Sequence, residues 1–490
     1  MMSYRKNNLG AISLIAILAC GSAFGGKIVY PWRSTTAIVK SGETFEIWFD
    51  ANSGQTVTSV DLQGPYNTVS TTLSVESGSW VYDAWSGNTY DRKITVTVPG
   101  SAPVDRYTLI LKTSTGDETS LAAVKVIKEY KDSYYVLHIS DAHRWQGSYD
   151  TPNVILSEIS TVIDIANIID PEMLIETGDV YYPNVNSETS TRGRIVEFMN
   201  GTDSVNGMND AYAAVFSVPG NHCTPSKNYK LEPDLATPAR YWNEHFGLQT
   251  HTFTYGSARF IGINNSWCPA TGGGAEDYVP NYKWQLDAAT KWINEVGAGN
   301  LRIAYCHVPQ ESIPPVYNAL NDAGAPFGLM LAGHIHRVDS NPFSINGQAI
   351  VYTTDTPRDG DGRAPFNLYW VDNVAGTCEA VGNTRAANEG LGIKKDYSTS
   401  KLKLTYSEAN DGSQGTNTAT IVNKFNFPVS GARVRFVMSQ GSTYAVSHGE
   451  IVQAFDGDVV HVVDVRVDLA ANSTTSIGIS FGMLPNSAQF

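Results

Sequence analysis

The chain has little cysteine, five residues in 490. Four of them, Cys223, Cys268, Cys306 and Cys378, lie beyond the first 26 residues and are too scattered for a disulfide scaffold. Cys223 and Cys268 both fall in loops, and a pair between them and four unpaired thiols are both open readings. Long hydrophobic runs are also missing. The apolar stretch Ala11 to Ala19 is too short to span a bilayer, and no other segment reads as a transmembrane helix. Basic residues are in deficit, 34 Lys and Arg against 48 Asp and Glu, for a formal charge of −14. That balance excludes nonspecific nucleic-acid binding. It leaves a nucleotide substrate open, because bound metal ions reverse the sign locally. There is no fixed-period repeat, so the organisation must be read from local texture.

Residues 1–26 contain no acid. Arg5 and Lys6 precede the apolar stretch, and the small residues Gly21, Ser22 and Ala23 follow it. This is the layout of a signal peptide. Ile17-Leu18-Ala19-Cys20 resembles a bacterial lipoprotein lipobox, in which case Cys20 becomes a lipid-anchored N-terminus; otherwise cleavage follows Ala23. The expected location is exported: periplasmic, cell-surface or secreted.

Three textures follow. Residues 27–130 alternate short apolar runs, such as Thr44 to Phe49 and Tyr107 to Lys112, with Gly, Ser, Asn and Pro. That spacing predicts an all-β immunoglobulin-like sandwich with no catalytic cluster. Residues 131–385 alternate apolar strands with helical patterns, for example Ile155, Ile159, Val162 and Ile163, then Trp284, Ala288 and Trp292. This predicts an α/β domain with a largely parallel sheet and helices on its faces. Two polar segments, Tyr182 to Asp210 and Cys223 to Gln249, read as long loops. Residues 386–490 return to β alternation, with Ser407 to Thr416 as a long turn, and predict a second all-β sandwich domain.

Within the α/β region five apolar runs end in metal-binding side-chain types. Tyr134 to Ile139 leads to Asp141 and His143; Met173 to Thr177 leads to Gly178-Asp179. Val215 to Val218 leads to Gly220-Asn221-His222, Leu301 to Cys306 to His307, and Phe327 to Ala332 to Gly333-His334-Ile335-His336. Five of the ten histidines lie in these endings. Ligands collect at the carboxyl ends of strands in open α/β sheets. Carboxylate, amide and imidazole groups leaving one sheet edge suit divalent metals.

The ordered series D-x-H, G-D, G-N-H, H and G-H-x-H resembles the calcineurin-like metallophosphoesterases, over the middle half of the chain. The resemblance implies two stacked sheets flanked by helices and a dinuclear metal centre. It implies one ion held by Asp141, His143, Asp179 and His336, and another by Asp179, Asn221, His307 and His334. A carboxylate can bridge two ions and an imidazole cannot, which agrees with the family in making Asp179 the bridge. Mn, Fe or Zn, divalent or mixed-valence, fits these ligands better than Ca. The implied reaction is hydrolysis of a phosphate mono- or diester, on a small molecule or a phosphorylated polymer, with a metal-bridging hydroxide as nucleophile. His222, as in the family, would give the leaving group its proton. Cys223 stands where the family usually has an acid. Gly178-Asp179-Val180-Tyr181-Tyr182 also fits a motif of purple acid phosphatases, whose tyrosine binds ferric iron. Phenol must ionise from a pKa near 10 to bind metal, so His143 is expected to fill that position and Tyr182 to line the pocket. Arg358, Asp359, Asp361 and Arg363 crowd one loop, which reads as solvated or as offering an arginine to a phosphate oxygen. Competing readings are a surface binding protein on an inactive phosphoesterase scaffold, and a purple acid phosphatase-like phosphomonoesterase.

Overall fold

The structure is a computed structural model that describes residues 27–83, 88–144, 154–181, 188–223, 240–265, 279–309, 327–336, 344–345, 348–349, 351–353, 366–381 and 401–482. The signal-like segment, Cys20, Tyr182, Cys268 and the loop from Arg358 to Arg363 lie outside the described residues.

Two five-stranded sheets form the centre. The first runs Ala214–Ser217, Met173–Glu176, Ser133–Ile139, Asn367–Asp372, Thr377–Ala380. Its first three strands are parallel, Asn367–Asp372 runs antiparallel to them, and Thr377–Ala380 pairs antiparallel with Asn367–Asp372. The second runs His251–Tyr255, Ala258–Gly262, Leu301–Tyr305, Phe327–Ala332, Val351–Thr353, parallel except for its first strand. Apolar residues between turn signals make these strands continuous in burial, as strands covered on both faces require. Val136, Ile175, Phe216, Phe260, Ile303 and Leu329 fill one core common to both sheets. This is the mixed α/β core that the alternation of strand and helix predicts.

Helix Val154–Ile169 buries Ile155, Ile159, Val162 and Ile163, the stripe seen in the sequence. The stripe on helix Val279–Val296 differs from expectation. Gln285, Ala289 and Ile293 are buried, whereas Ala288 is exposed and Trp284 and Trp292 are half-buried. The indoles flank the contact line, one residue to its side. Tyr182 to Asp210 is also more than a loop: helix Glu188–Asn200 lies within it and buries Ile195, Phe198 and Met199. Those few apolar residues sit among many polar ones, which hid the period.

All-β regions flank the centre. On the N-terminal side a four-stranded and a five-stranded sheet share a core that includes Ile47, Phe49, Ile94 and Leu109. Segment 34–36 continues onto the free edge of strand Ala214–Ser217: Ser217 N donates to Ser34 O (2.9 Å) and Thr36 N to Val215 O (3.3 Å). On the C-terminal side a four-stranded and a three-stranded sheet pack their apolar residues into the same core as helix Val154–Ile169 and the outer face of the first central sheet. Among the described residues no helix is long and apolar enough to cross a membrane.

Candidate metal centre

The parallel register of the first sheet aligns the strand ends, with Ile139 opposite Glu176 and Glu176 opposite Ser217. Hydrogen bonding continues past the strands. Asp141 N donates to Gly178 O (2.9 Å), His143 N to Asp179 O (2.7 Å) and Arg144 N to Val180 O (2.9 Å). The first two motif loops therefore leave the sheet side by side.

Asp141, His143, Asp179, His334 and His336 all have positive φ, from 46° to 71°. Asp, Asn and His tolerate this left-handed region better than other side chains. Its cost, of order 1 kcal/mol each, is borne where geometry matters most. In each D-x-H or H-x-H triplet the outer residues are left-handed, so both project to the same pocket. Glycines let the loops close on one another. A methyl group at Gly220 would collide with the Asp179 carboxylate, and one at Gly333 with Ser140 and Asp141. Both motif glycines are thus required by close approach.

The structure brings all seven expected ligands and His222 together. Asp141, His143 and His336 form one triad, and Asp179, His307 and His334 another. A third, His143, Asp179 and His222, joins them. His143 Nε2 lies 3.0 Å from His336 Nε2, and His336 Nε2 lies 3.2 Å from Asp141 Oδ1. His307 Nε2 lies 3.0 Å from Asp179 Oδ2 and 3.0 Å from Asn221 Oδ1, which is itself 3.0 Å from His334 Nδ1. Asp179 Oδ2 is also 3.7 Å from His143 Nε2, so this one carboxylate reaches both triads.

The atoms suit a cation. His307 Nδ1 donates to the Thr177 carbonyl (2.7 Å), which leaves a lone pair on Nε2. That lone pair faces two acceptor oxygens, from Asp179 and Asn221. Asp179 Oδ2 is buried and has no aligned hydrogen-bond donor. Acceptors facing one another repel unless a proton or metal ion lies among them. Ligands bonded to one ion at about 2.1 Å stand about 3.0 Å apart at right angles and about 3.4 Å apart at the tetrahedral angle, close to the 3.0 Å and 3.2 Å separations within the two triads. The charges agree. Burial alone would raise the Asp141 and Asp179 carboxyls, but the surrounding imidazoles outweigh it and hold both below the ordinary carboxylate range. Burial would lower His307, but Asp179 and Asp141 outweigh it and lift the imidazole to about 9. In metal-free protein the proton on His307 takes the place of a cation.

His222 sits at the mouth, with its side chain one-third exposed. Its backbone N–H donates to Asp179 Oδ1 (2.7 Å), and its Nε2 lies 3.9 Å from Asp179 Oδ2. Burial, then the neighbouring imidazoles, outweigh the carboxylates and bring it down to about 4. Cys223 is a free, buried thiol pushed up by burial. Its carbonyl accepts from the Tyr181 hydroxyl, which fastens the loop after His222.

Sequence reasoning missed the supports. Thr177 fixes the His307 ring, and the Thr177 hydroxyl meets His138 Nε2 at 2.9 Å. Arg144, buried beside His143, pairs with Glu197 at 2.8 Å. Its position directly after the D-x-H triplet was the available signal.

Residues 134–338, less than half of the chain, match the family model described as calcineurin-like phosphoesterase. All seven ligand candidates lie inside the match. No curated protein is significantly similar to the chain. Among solved structures, a purple acid phosphatase from yellow lupin (Lupinus luteus) seeds is 13% identical over 88% of this chain and 73% of that one, with a TM-score of 0.33. A putative alpha-galactosidase/melibiase from Bacteroides fragilis NCTC 9343 is 11% identical over 93% and 98%, with a TM-score of 0.23. Superpositions this loose say nothing about the site.

Proposed function

We propose, starting from the calcineurin-like metallophosphoesterase fold of residues 134–338, that the chain is an exported dinuclear-metal hydrolase of phosphate mono- or diesters. The observation that carries this reading is the Asp179 carboxylate, placed between the Asp141–His143–His336 and Asp179–His307–His334 triads. Two ions of Mn, Fe or Zn held there would supply Lewis acidity toward the phosphoryl oxygens and a water made nucleophilic near neutral pH.

Asp141, His143, Asp179 and His336 would hold one ion, and Asp179, Asn221, His307 and His334 the other. The chain's own part is to fix these atoms. Asp141 accepts the His334 backbone N–H (2.9 Å) and so ties the first motif to the last. His222, at the open side, would hand a proton to the departing oxygen once the negative charge of a bound phosphate raises it from the low value that burial imposes. The partner is a phosphorylated small molecule or polymer. We read the flanking all-β regions as immunoglobulin-like modules, at 27–130 and 386–490 around a catalytic domain at 131–385. Export rests on the signal-like residues 1–26, with Cys20 as a lipid anchor if the lipobox is used.

The test is metal analysis of the purified chain, followed by hydrolysis of a panel of mono- and diesters with each metal. Two ions per chain and metal-dependent hydrolysis are expected. A chain that binds two ions and cleaves no ester would favour the inactive-scaffold reading.

A further inference from the structure

Asn265 follows strand Ala258–Gly262, fully buried and close behind His307. Its Oδ1 accepts from both His307 N and Val308 N (3.0 Å each), and its Nδ2 donates to Val308 O (2.7 Å). One amide thus satisfies three backbone groups of the turn that carries His307. Strand Leu301–Tyr305 has ended before this turn; the ladder still reaches His307 O, which accepts from Gly333 N (2.9 Å), but the other three groups are left to Asn265. An amide supplies a carbonyl with two lone pairs and an N–H donor in the geometry of a peptide.

The Asn265 turn is itself held. Asn264 N donates to Gln285 Oε1 (3.0 Å), and Gln285 Nε2 donates back to Asn264 O (3.0 Å). This pair bolts the turn to helix Val279–Val296. Asn264 Nδ2 also reaches Gln249 Oε1 at 2.7 Å. The network is buried and its backbone partners are matched, the condition under which buried polar groups rigidify rather than destabilise. At the far end of His307 the Thr177 carbonyl fixes the ring.

We infer that Asn265 is a positioning residue for one cation site only, that of Asp179, Asn221, His307 and His334. It sets the backbone of His307, and Thr177 sets the ring. The other site's own ligands are Asp141 and His143, on the first motif loop, and His336, which shares a loop with His334; none of them lies on the turn that Asn265 holds. This inference rests on the dinuclear reading above.

The experiment is a manganese(II) binding isotherm by equilibrium dialysis for the full chain, Asn265→Ala and Asn265→Asp, with far-UV circular dichroism as the folding check. Outer-shell groups are typically worth about 10–100-fold in metal affinity. Asn265→Ala should therefore weaken one ion by that factor and leave the other unchanged. Asn265→Asp keeps an oxygen for both N–H groups, and burial favours its protonated form, whose O–H can donate to Val308 O in place of the amide. It should weaken the same ion less, and it decides the matter if Asn265→Ala does not fold. Equal weakening of both ions, or of neither, in the folded variants would overturn the inference while the wild type still bound two. A wild-type chain that bound no manganese would defeat the functional reading first, and this inference with it.

Discussion

The Asp179 carboxylate faces both His143 of one triad and His307 of the other, and it is wholly buried. Its Oδ1 is committed to the His222 backbone, whereas Oδ2 faces His307 and His143. Asp179→Asn turns a charged bridge into a neutral amide and points either an N–H group or a weaker oxygen at the ions. We expect loss of both ions by metal analysis and at least a hundredfold loss of ester hydrolysis, on the order of 3 kcal/mol in the transition state. Asn221→Ala removes a neutral group from one side and should retain the ion of Asp141, His143 and His336. Two retained ions in Asp179→Asn would remove the bridge assignment. The seven side chains gathered in the candidate centre were legible in the sequence because each is chemically conspicuous at a strand end. Asn265 and Thr177 were not, because an amide bonded to backbone and a carbonyl oxygen leave no distinctive pattern. The left-handed backbone of Asp141, His143 and Asp179 was equally silent, although their residue types permit it.

At the scale of elements, the motif strands were legible because a buried parallel strand reads as an unbroken apolar run. Helix Glu188–Asn200 was not, since its apolar residues are outnumbered by polar ones. Nor could the sequence show that segment 34–36 caps the edge of strand Ala214–Ser217, since the contact spans about 180 residues of chain. Thr36 is buried there, and its hydroxyl donates to Val215 O (3.1 Å) and accepts from Val215 N (3.1 Å). An open edge would leave these groups unpaired. This strand leads into Gly220-Asn221-His222, so the cap also steadies one motif loop. Thr36→Val keeps the shape and deletes the hydroxyl. Leaving the buried Val215 groups with poorer partners should cost about 1–3 kcal/mol. Urea unfolding would show this as a lower midpoint at unchanged slope, and an unchanged midpoint would mean that the backbone contacts alone close the edge.

On the scale of the whole molecule, the three regions meet around Tyr212. Its ring has Lys125 Nζ at 3.1 Å and Arg433 Cζ at 3.3 Å from its centroid. Arg435 bonds Asp464 through two nitrogens (2.8 Å each) and reaches Asp105 of the N-terminal region at 2.6 Å. Arg435→Ala would leave Asp105 and Asp464 buried with less charge to answer them, a loss of about 3–5 kcal/mol in chemical unfolding. A shift near zero would show that Arg433 alone suffices. Acid response also belongs to the whole. His138 and His251 are buried, and burial pushes each from 6.5 down to about 3, only partly opposed at His138 by Asp141. Below pH 6.5 the unfolded chain takes up these protons and the folded chain does not until about pH 3. Their contribution is therefore complete above the unfolded value and is lost as pH falls, by up to about 1.4 kcal/mol per pH unit for each histidine. His307 in metal-free protein has the opposite sign, since its raised value favours the folded state at lower pH and that gain is lost as pH climbs toward 9. Metal-loaded protein removes this opposing proton and should show the steeper decline between pH 6.5 and 5. His251 Nε2 lies 2.5 Å from the Tyr305 hydroxyl, a partner that a glutamine amide can also meet. His251→Gln should thus fold and lose one histidine's share of the slope, read from urea midpoints across that range. An unaltered slope would place the acid sensitivity elsewhere in the chain.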